Sequence, residues 1–507
     1  MKELIVFLAL MLTASCTQSI PKSNTIAGTE YDDLKTLLAA KGSDVYLLHS
    51  TQALDLEQAE KTNTCTLDVA KGGVVSFQIM FGTEDDYSYS LIPNNSADIQ
   101  VKTFTIKKWQ EWDDFLVPVE GKVSSSEKFW VRFMVSEDVK PGEYEYILRF
   151  QGESDMRLVH AIVRVHDVEI PEVPTMPGVF GINTDHIDTG GMSAKEKYEV
   201  YKQWSDFLID FRISPFFAQE GTSSPYPIDD SRSIRYMSNK KLGYVCLPWQ
   251  GDAASLQKLC DKCRTAGILS KSYFYLFDEP LSTTDYNKVF DQADKVHSAA
   301  ADAKTMLACY FNPVDECAIK DVIEGINHFK DKIDIFCVNV YSYLDSEEKA
   351  AEVRDAVKSP SNLWTYTCWA QKPGFCLKNN TRIMTCAQMW RSWKEESEAF
   401  LFWVVNSYKI EENGALTRPA STPAGDGVLV IPGKYFGSNE PLCASLRLEN
   451  WRESAIDVEL LSMIEKAHGR EKALGLLSMV YTAPLQQTTS SKDVIDFRKA
   501  MLETLEK

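Results

Sequence analysis

Two adjacent carboxylates, Asp278 and Glu279, close an apolar and aromatic run that begins at Tyr273 and is followed by Pro280. The run predicts a strand buried on both faces, which ends near the proline because proline cannot donate a ladder hydrogen bond. Neighbouring carboxylates suit acid/base catalysis when their surroundings separate their pKa values, so that one stays ionised while the other holds a proton. The alternative is a solvated loop or the start of the next helix.

This strand is the fourth of eight predicted strands that alternate with amphipathic helices. The eight predicted strands are Gly178–Asn183, Ile213–Ala218, Gly243–Leu247, Tyr273–Phe277, Thr305–Phe311, Ile333–Tyr341, Trp364–Trp369 and Phe400–Val405. Alternation of this kind requires a parallel sheet, and eight units over about 290 residues predict an α/β fold with a (β/α)8 TIM-like barrel. An open doubly wound sheet would need a Gly-rich phosphate loop, which the sequence lacks. In a parallel barrel the C-terminal strand ends form the active site, so the catalytic interpretation of Asp278 and Glu279 is favoured.

The segment ahead of the barrel has the pattern of an all-β domain. Residues 41–170 contain short strands rich in aromatic and β-branched residues, separated by turn signals, which predicts a β-sandwich. A Pro-rich joint follows at Ile170–Pro177 and marks a domain boundary. The catalytic barrel with its C-terminal helices is therefore predicted over residues 175–507.

The first residues resemble a bacterial lipoprotein signal peptide over residues 1–16, and an ordinary cleaved signal peptide is the alternative. Lys2 provides a basic start, Leu4–Leu12 is apolar throughout, and small residues precede Cys16, which would carry the lipid. Residues 17–40 are then predicted as a tether. These features predict a protein of the Gram-negative cell envelope, anchored to the outer membrane on its periplasmic or its surface face.

Charge and composition exclude several classes of partner. The chain has 54 Lys and Arg against 72 Asp and Glu, a net charge of −18, which argues against nucleic acid and anionic lipid as binding partners. No later apolar stretch reaches transmembrane length, so membrane contact is expected only through the lipid at Cys16. The 7 histidines lack paired spacing, and no metal or cofactor is predicted. Eleven of the 12 cysteines follow Cys16, an odd number that does not form a disulfide framework. The oligomeric state remains open.

Aromatic residues near the strand ends suit a sugar substrate, because sugar rings have apolar faces that stack on aromatic side chains while their hydroxyls need polar neighbours. A carboxyl pair with an aromatic lining is typical of a glycosidase, so a glycan substrate is predicted. The candidate substrate-binding residues are Asn183, His186, Trp249, Tyr341, Tyr343, Trp364, Trp369 and Trp403, and the aromatic set also includes Tyr366 and Tyr408.

The seventh predicted strand lacks the carboxylate that a protein nucleophile would need. A retaining enzyme with such a nucleophile places it about 5–5.5 Å from the acid, and in barrels with the acid after strand four it commonly ends strand seven. Residues 363–371 contain no Asp or Glu. The economical hypothesis is that the substrate's own 2-acetamido oxygen attacks, with Asp278 orienting the amide and Glu279 protonating the leaving oxygen. A protein nucleophile on another glycan stays open, and its candidates are Asp185, Glu220, Asp345 and Glu412. An inactive glycan-binding surface lipoprotein is the third hypothesis.

The strand from Tyr275 to Pro280 resembles the catalytic strand of glycoside hydrolase family 123, and so do the later segments Gly425–Gly433 and Ser445–Asp457. The resemblance implies a secreted bacterial β-N-acetylgalactosaminidase with a β-sandwich ahead of a (β/α)8 barrel. It also implies a substrate-assisted mechanism, with Asp278 as the amide stabiliser and Glu279 as the acid/base. Either Tyr341 or Tyr343 matches the family tyrosine for the acetamido group. The late segments are expected to be structural, with Arg447 and Glu449 pairing near the start of the last barrel helix.

Overall fold

The computed structural model describes residues 27–507, except 41–44, 58, 83–84, 95–98, 219–230, 250, 313–316, 344–345, 358–361, 370–371, 379 and 420. The predicted signal peptide with Cys16, and the candidates Glu220 and Asp345, lie outside the described residues. Within the described part of the chain, no helix combines the length and the apolar character needed to cross a membrane. In that same part, no group of three His, Cys, Asp or Glu side chains is placed to hold a metal ion.

The N-terminal unit consists of one helix and two facing sheets. One sheet has the order β2-β1-β4-β9-β6-β7 and the other β3-β11-β10-β5-β8, with a shared hydrophobic core between them. This arrangement confirms the predicted sandwich. Its elements are α1 (Ala27–Ala40), β1 (Val45–His49), β2 (Glu60–Lys61), β3 (Thr64–Lys71), β4 (Val74–Phe81), β5 (Asp86–Pro93), β6 (Ile99–Trp109), β7 (Trp112–Pro118), β8 (Lys122–Ser124), β9 (Lys128–Val135), β10 (Gly142–Gln151) and β11 (Met156–Glu169).

Helix α1 occupies residues that the sequence assigns to the tether. Tyr31 and Leu34 are buried in a small cluster with Ile147 and Leu158 of the second sheet. The Tyr31 hydroxyl donates to Glu145 Oε2 at 2.6 Å. These contacts hold residues 27–40 against the sandwich, because burial of an apolar helix face is what stabilises a short helix.

The second unit is a parallel barrel in which eight strands alternate with helices, as predicted. The strand order is β13-β12-β19-β18-β17-β16-β15-β14, so the ring is nearly closed, with one seam between β13 and β14 where no strand pairing joins the described residues. The strands are β12 (Gly178–Ile182), β13 (Ile213–Phe217), β14 (Val245–Cys246), β15 (Ser272–Asp278), β16 (Lys304–Cys309), β17 (Ile335–Asn339), β18 (Asn362–Tyr366) and β19 (Ala399–Phe402). The helices are α2 (Ala194–Ile209), α3 (Ser231–Met237), α4 (Ala253–Thr265), α5 (Thr283–Ala299), α6 (Val322–Phe329), α7 (Glu347–Ala356) and α8 (Arg382–Lys394).

The chain after the eighth strand completes the barrel and joins it to the sandwich. The helices are α9 (Leu446–His468), α10 (Arg470–Leu477) and α11 (Ser491–Leu505), and the short strands are β20 (Lys409–Ile410), β21 (Leu416–Thr417), β22 (Val430–Ile431), β23 (Cys443–Ala444), β24 (Tyr481–Ala483) and β25 (Gln486–Gln487). In the described residues, 3-10 turns cover Thr184–His186, Leu269–Lys271, Val340–Tyr343 and Gly433–Phe436. Helix α11 packs on α9 and also on β3 and β11, so the tail contacts both units.

Buried ion pairs cross the boundary between the two units. Arg132 of β9 pairs with Glu449 of α9, and Ser50 donates to Glu453 Oε2 at 2.6 Å. Arg447 of α9 pairs with Asp114 of β7 at 2.6 Å. The expectation that Arg447 and Glu449 have structural partners is confirmed, and partners of both lie in the sandwich. The eleven cysteines after Cys16, all of them among the described residues, form no disulfide bond.

Candidate active site

A β-bulge in β15 turns Asp278 into the barrel. Relative to β16, Leu276 is an extra residue, so the register shifts between Tyr275 and Phe277. Leu276 and Phe277 therefore both contact the outer hydrophobic layer, and Asp278 returns to the inner face together with Tyr275. The strand partner of Asp278 is Ala308, a member of the interior cluster. Strict alternation without the bulge would point Asp278 outward.

Glu279 reaches the same face by an unusual backbone conformation. Its φ is +48°, in the left-handed region that residues other than glycine rarely adopt. Its N–H donates to the Ala308 carbonyl at 3.0 Å, which extends the sheet by one bond. The hydroxyl of Tyr366, at the end of β18, donates to Glu279 Oε1. Strained backbone of this kind persists where surrounding contacts hold it, and it clusters at functional sites.

A tyrosine hydroxyl donates to each carboxylate. Tyr275 Oη donates to Asp278 Oδ1 at 2.9 Å, in parallel with the bond from Tyr366 to Glu279. Burial raises the pKa of both tyrosines well above the usual range, so both remain protonated donors. Asp278 is accessible to solvent at the mouth, yet the surrounding protein raises its pKa, and the bond from Tyr275 partly offsets that rise. The two carboxylates thus sit side by side, each with its own tyrosine donor.

Exposed aromatic side chains flank this pair. Tyr341 follows β17 and is 46% exposed, and Trp369 follows β18 and is 55% exposed. The ring of Tyr310, after β16, lies 6.3 Å from that of Tyr341. Trp249 after β14 and Trp403 after β19 are partly buried. The C-terminal face therefore presents flat apolar surfaces close to two carboxylates, the combination that a sugar ring requires.

Comparison with known proteins agrees with this geometry. Residues 195–464 match the family model "Glycoside hydrolase 123, catalytic domain". The chain belongs to glycoside hydrolase family 123. None of the curated proteins matches the chain significantly.

One solved structure shows the same fold over most of the chain, and a second is less similar. A family 123 glycoside hydrolase from Clostridium perfringens, which acts on glycolipid glycans, is 12% identical, with a TM-score of 0.65 over 92% of this chain and 97% of its own. A GH2 β-galacturonidase from Eisenbergiella tayi is 10% identical, with a TM-score of 0.35 over 81% of this chain and 71% of its own.

Asn183 and His186 tie two loops of this family 123 barrel together. The Asn406 side chain accepts from the Asn183 N–H and donates to its carbonyl, both at 2.8 Å. The Nδ1 of His186 lies 2.9 Å from the Asn406 carbonyl, and its ring stacks on buried Tyr408 at 6.0 Å. The loops after β12 and β19 are therefore fixed to each other. A direct sugar contact for Asn183 or His186 stays a prediction.

Two predicted substrate-binding residues are instead buried. Tyr343 ends the 3-10 turn after β17, is 4% exposed, and donates its hydroxyl to Glu395 at 2.9 Å. Trp364 lies inside the barrel, fully buried, with its ring 5.1 Å from that of Tyr273. Both side chains pack in the core, which corrects their assignment as substrate-binding residues. Of the two tyrosines considered for the acetamido group, Tyr341 alone is exposed.

Asp426 also lies on the C-terminal face of the barrel, although its segment was expected from the sequence to be only structural. It is 1% exposed, and burial raises its pKa to about 7. The Trp369 N–H and the Trp403 indole partly offset that rise. The signal in the sequence is the flanking pair of glycines, since a Gly-Asp-Gly turn positions a carboxylate on a tight loop.

Replacing Tyr275 with phenylalanine is expected to raise the pKa of Asp278 further, because the carboxylate loses the hydrogen bond that partly offsets the desolvation by the surrounding protein. Asp278 is expected to act ionised, so activity is lost as the pH falls through its pKa. A higher pKa moves the acidic limb of the kcat/KM profile to higher pH. Tyr273→Phe, on the same strand face but packed against Trp364, should leave that limb in place. An unmoved limb in Tyr275→Phe would show that Asp278 does not govern it.

Proposed function

We propose that this chain removes terminal β-linked N-acetylgalactosamine from glycans, with retention of configuration and with the substrate's 2-acetamido group as the nucleophile. The observation that carries the proposal is the placement of Asp278 and Glu279 on one strand end, each bound to its own tyrosine. Consecutive residues of one strand are poorly placed to flank a sugar ring from opposite sides, as an enzyme with a protein nucleophile requires. They are well placed to act on two neighbouring groups of one sugar.

The two carboxylates would divide the chemistry as follows. Ionised Asp278 accepts a hydrogen bond from the acetamido N–H and so orients the amide. The amide oxygen attacks the anomeric carbon as the glycosidic bond breaks. Glu279 gives its proton to the leaving oxygen. Glu279 then accepts a proton from water as that water opens the cyclic oxazolinium intermediate. Two inversions at the anomeric carbon retain its configuration, and the intramolecular nucleophile gains from proximity.

Other carboxylates of this face fit a nucleophile less well. Asp185 and Glu412 are exposed on loops after β12 and β19, while both oxygens of Asp426 are enclosed. The end of β18, from Tyr366 to Trp369, contains no acid. The Clostridium perfringens relative acts on glycolipid glycans, which makes an oligosaccharide of that class the first natural substrate to test.

The test is hydrolysis of the β-N-acetylgalactosaminide and the β-N-acetylglucosaminide of 4-nitrophenol. Wild type is expected to release nitrophenol from the galacto substrate and to be inhibited by the corresponding thiazoline, which mimics the cyclic intermediate. Glu279→Gln should lose most of this turnover, whereas Glu412→Gln should keep it. Turnover that depends on Glu412 and resists the thiazoline would indicate a protein nucleophile. A folded protein that binds either sugar without turnover would indicate a binding role.

We further infer that the mature chain is attached to the outer membrane through a lipid on Cys16. The support is the sequence pattern of a short basic start, an apolar run and small residues before the cysteine. In a Gram-negative host, wild type should incorporate an alkyne-tagged fatty acid and sediment with outer membranes. Cys16→Ser should do neither, while Cys65→Ser should behave as wild type. Equal labelling of Cys16→Ser and wild type would contradict the anchor.

A further inference from the structure

The turn formed by Gly425, Asp426 and Gly427 carries a buried carboxylate that the proposed chemistry does not use. Both glycines have left-handed φ angles, +83° and +68°, which glycine adopts without steric cost. A Cβ on Gly427 would lie 2.6 Å from the ring of Trp403, so the absence of a side chain lets the turn pass directly against that indole. Arg447 donates to the carbonyl of Gly425 at 2.5 Å and anchors the turn from α9. Asp426 is thereby fixed against Trp403.

Two N–H groups face the Asp426 carboxyl, one from the backbone of Trp369 and one from the Trp403 indole. Both lower its pKa, as does the Arg447 charge, but burial outweighs them. Within the described chain, neither oxygen of Asp426 completes a hydrogen bond of good geometry, and the indole nitrogen of Trp403 has no other partner. Cys368 is a further titratable group that senses this carboxyl, and burial keeps its thiol protonated. A buried carboxyl with so few partners calls for a functional explanation.

The two tryptophans that Asp426 faces lie where a sugar would bind. Trp369 is exposed although its backbone has a φ of +56°, a conformation that needs support from its surroundings. It follows Tyr366, the donor to Glu279, by three residues. The Cys368 thiol lies between them in the chain, and the charges of Glu279, Asp426 and, to a smaller extent, Asp278 all raise its pKa, so all three carboxyls lie in its neighbourhood.

We propose that Asp426 is a positioning residue, which holds the Trp369 backbone and the Trp403 indole in the orientation that stacks on the sugar. The inference rests on the proposed function, because it assigns these indoles to the sugar-binding wall. Ionised Asp426 has acceptor sites for both N–H groups, whereas the protonated form loses acceptor capacity. Because the pKa of Asp426 is raised to about 7, the wall should loosen as the pH falls through neutrality. Asp426 contacts no reacting atom, so its loss should weaken binding more than chemistry.

The first measurement is steady-state kinetics on the nitrophenyl substrate. Asp426→Ala is expected to raise KM about tenfold and to change kcat by less than about threefold, since it removes a charged acceptor behind the wall. Asp426→Asn keeps the shape and one acceptor, so KM should rise about threefold and lose its pH dependence between about pH 5.5 and 8.5. Glu440→Gln, an exposed acid in the same connection between β19 and α9, should match wild type. A kcat loss at unchanged KM would overturn the proposal and place Asp426 in the chemistry.

The second measurement needs no substrate and therefore does not depend on the proposed activity. Hydroxyl-radical footprinting with mass spectrometry should show Trp369 and Trp403 oxidised about twofold more in Asp426→Ala, while Trp249 serves as the internal reference. Wild type should show the same increase at about pH 5.5 relative to pH 8.5, which provides the test if a variant fails to fold. Equal oxidation in variant and wild type, or at both pH values, would overturn the proposal. Absent turnover with an altered footprint would contradict the proposed function alone.

Discussion

Replacing Asp278 with asparagine is expected to lower kcat on the nitrophenyl N-acetylgalactosaminide by about 10³-fold, with little change in KM. The amide has the shape of the carboxylate and can still accept from Tyr275, so the side chain should keep its place. It lacks the negative charge that strengthens the acetamido nucleophile and stabilises the positive charge of the intermediate. The measurement is kcat and KM at the pH optimum of each protein.

Glu279→Gln is the matched control, because it removes the neighbouring carboxylate and should respond differently to the leaving group. A 2,4-dinitrophenol departs with little help from an acid, so the loss in the glycosylation step should be small, about tenfold. For an alkyl alcohol the loss should be about 10³-fold. The loss in Asp278→Asn should be the same for both leaving groups. Equal sensitivity of the two variants to the leaving group would contradict the assigned division of roles.

The barrel and the place of the carboxylates follow from the sequence for a simple physical reason. Strands buried on both faces appear as continuous apolar runs, and the intervening helices have their own period, so eight units can be counted. Each predicted strand has a counterpart in the ring, and β15 ends at Asp278 as expected. Local composition determines these features, so they can be predicted without knowledge of tertiary contacts.

Side-chain direction is less visible, because it depends on single backbone irregularities. The bulge at Leu276 and the left-handed backbone of Glu279 together place both acids on the inner face. Neither irregularity can be recognised in the pattern of residues. Tyr343 and Trp364 fit the aromatic lining by position alone, yet one points to Glu395 and the other into the barrel core. The position of an aromatic residue relative to a strand end does not tell whether its side chain lines the cleft or packs in the core.

The late Arg-Leu-Glu segment shows a third case, in which the role was predicted and the partners were not. Arg447 and Glu449 were expected to be structural, and each forms a buried ion pair. Asp114 and Arg132 lie more than 300 residues earlier in the chain, on the sandwich. Long-range pairing of this kind is set by how the two units dock. Arg447 also bonds the turn that carries Asp426, so the docking reaches the sugar-binding wall.

Arg447→Met should lower the free energy of unfolding by about 3–5 kcal/mol, measured by urea denaturation, because Asp114 would be left buried and unpaired. The guanidinium also donates to the carbonyls of Phe375, Gly425 and Val428 at 2.7, 2.5 and 2.5 Å, and all three would lose a buried donor. Arg418→Met, which removes one bond to the Thr422 carbonyl, is the matched control and should cost less than about 1 kcal/mol.

The double variant Asp114→Ala with Arg447→Met separates the pair from the other contacts of Arg447. Removing both charges leaves no unpaired ion, so the double variant should be less destabilised than the sum of the two single variants. The remaining loss of unfolding free energy would come from the three carbonyls to which Arg447 donates, among them that of Gly425 in the turn that carries Asp426. The double variant should therefore have a higher KM than wild type even where its stability recovers, since the bond from Arg447 to the Gly425 carbonyl is still missing. Strict additivity of the two substitutions would show that the ion pair does not couple the sandwich to the barrel.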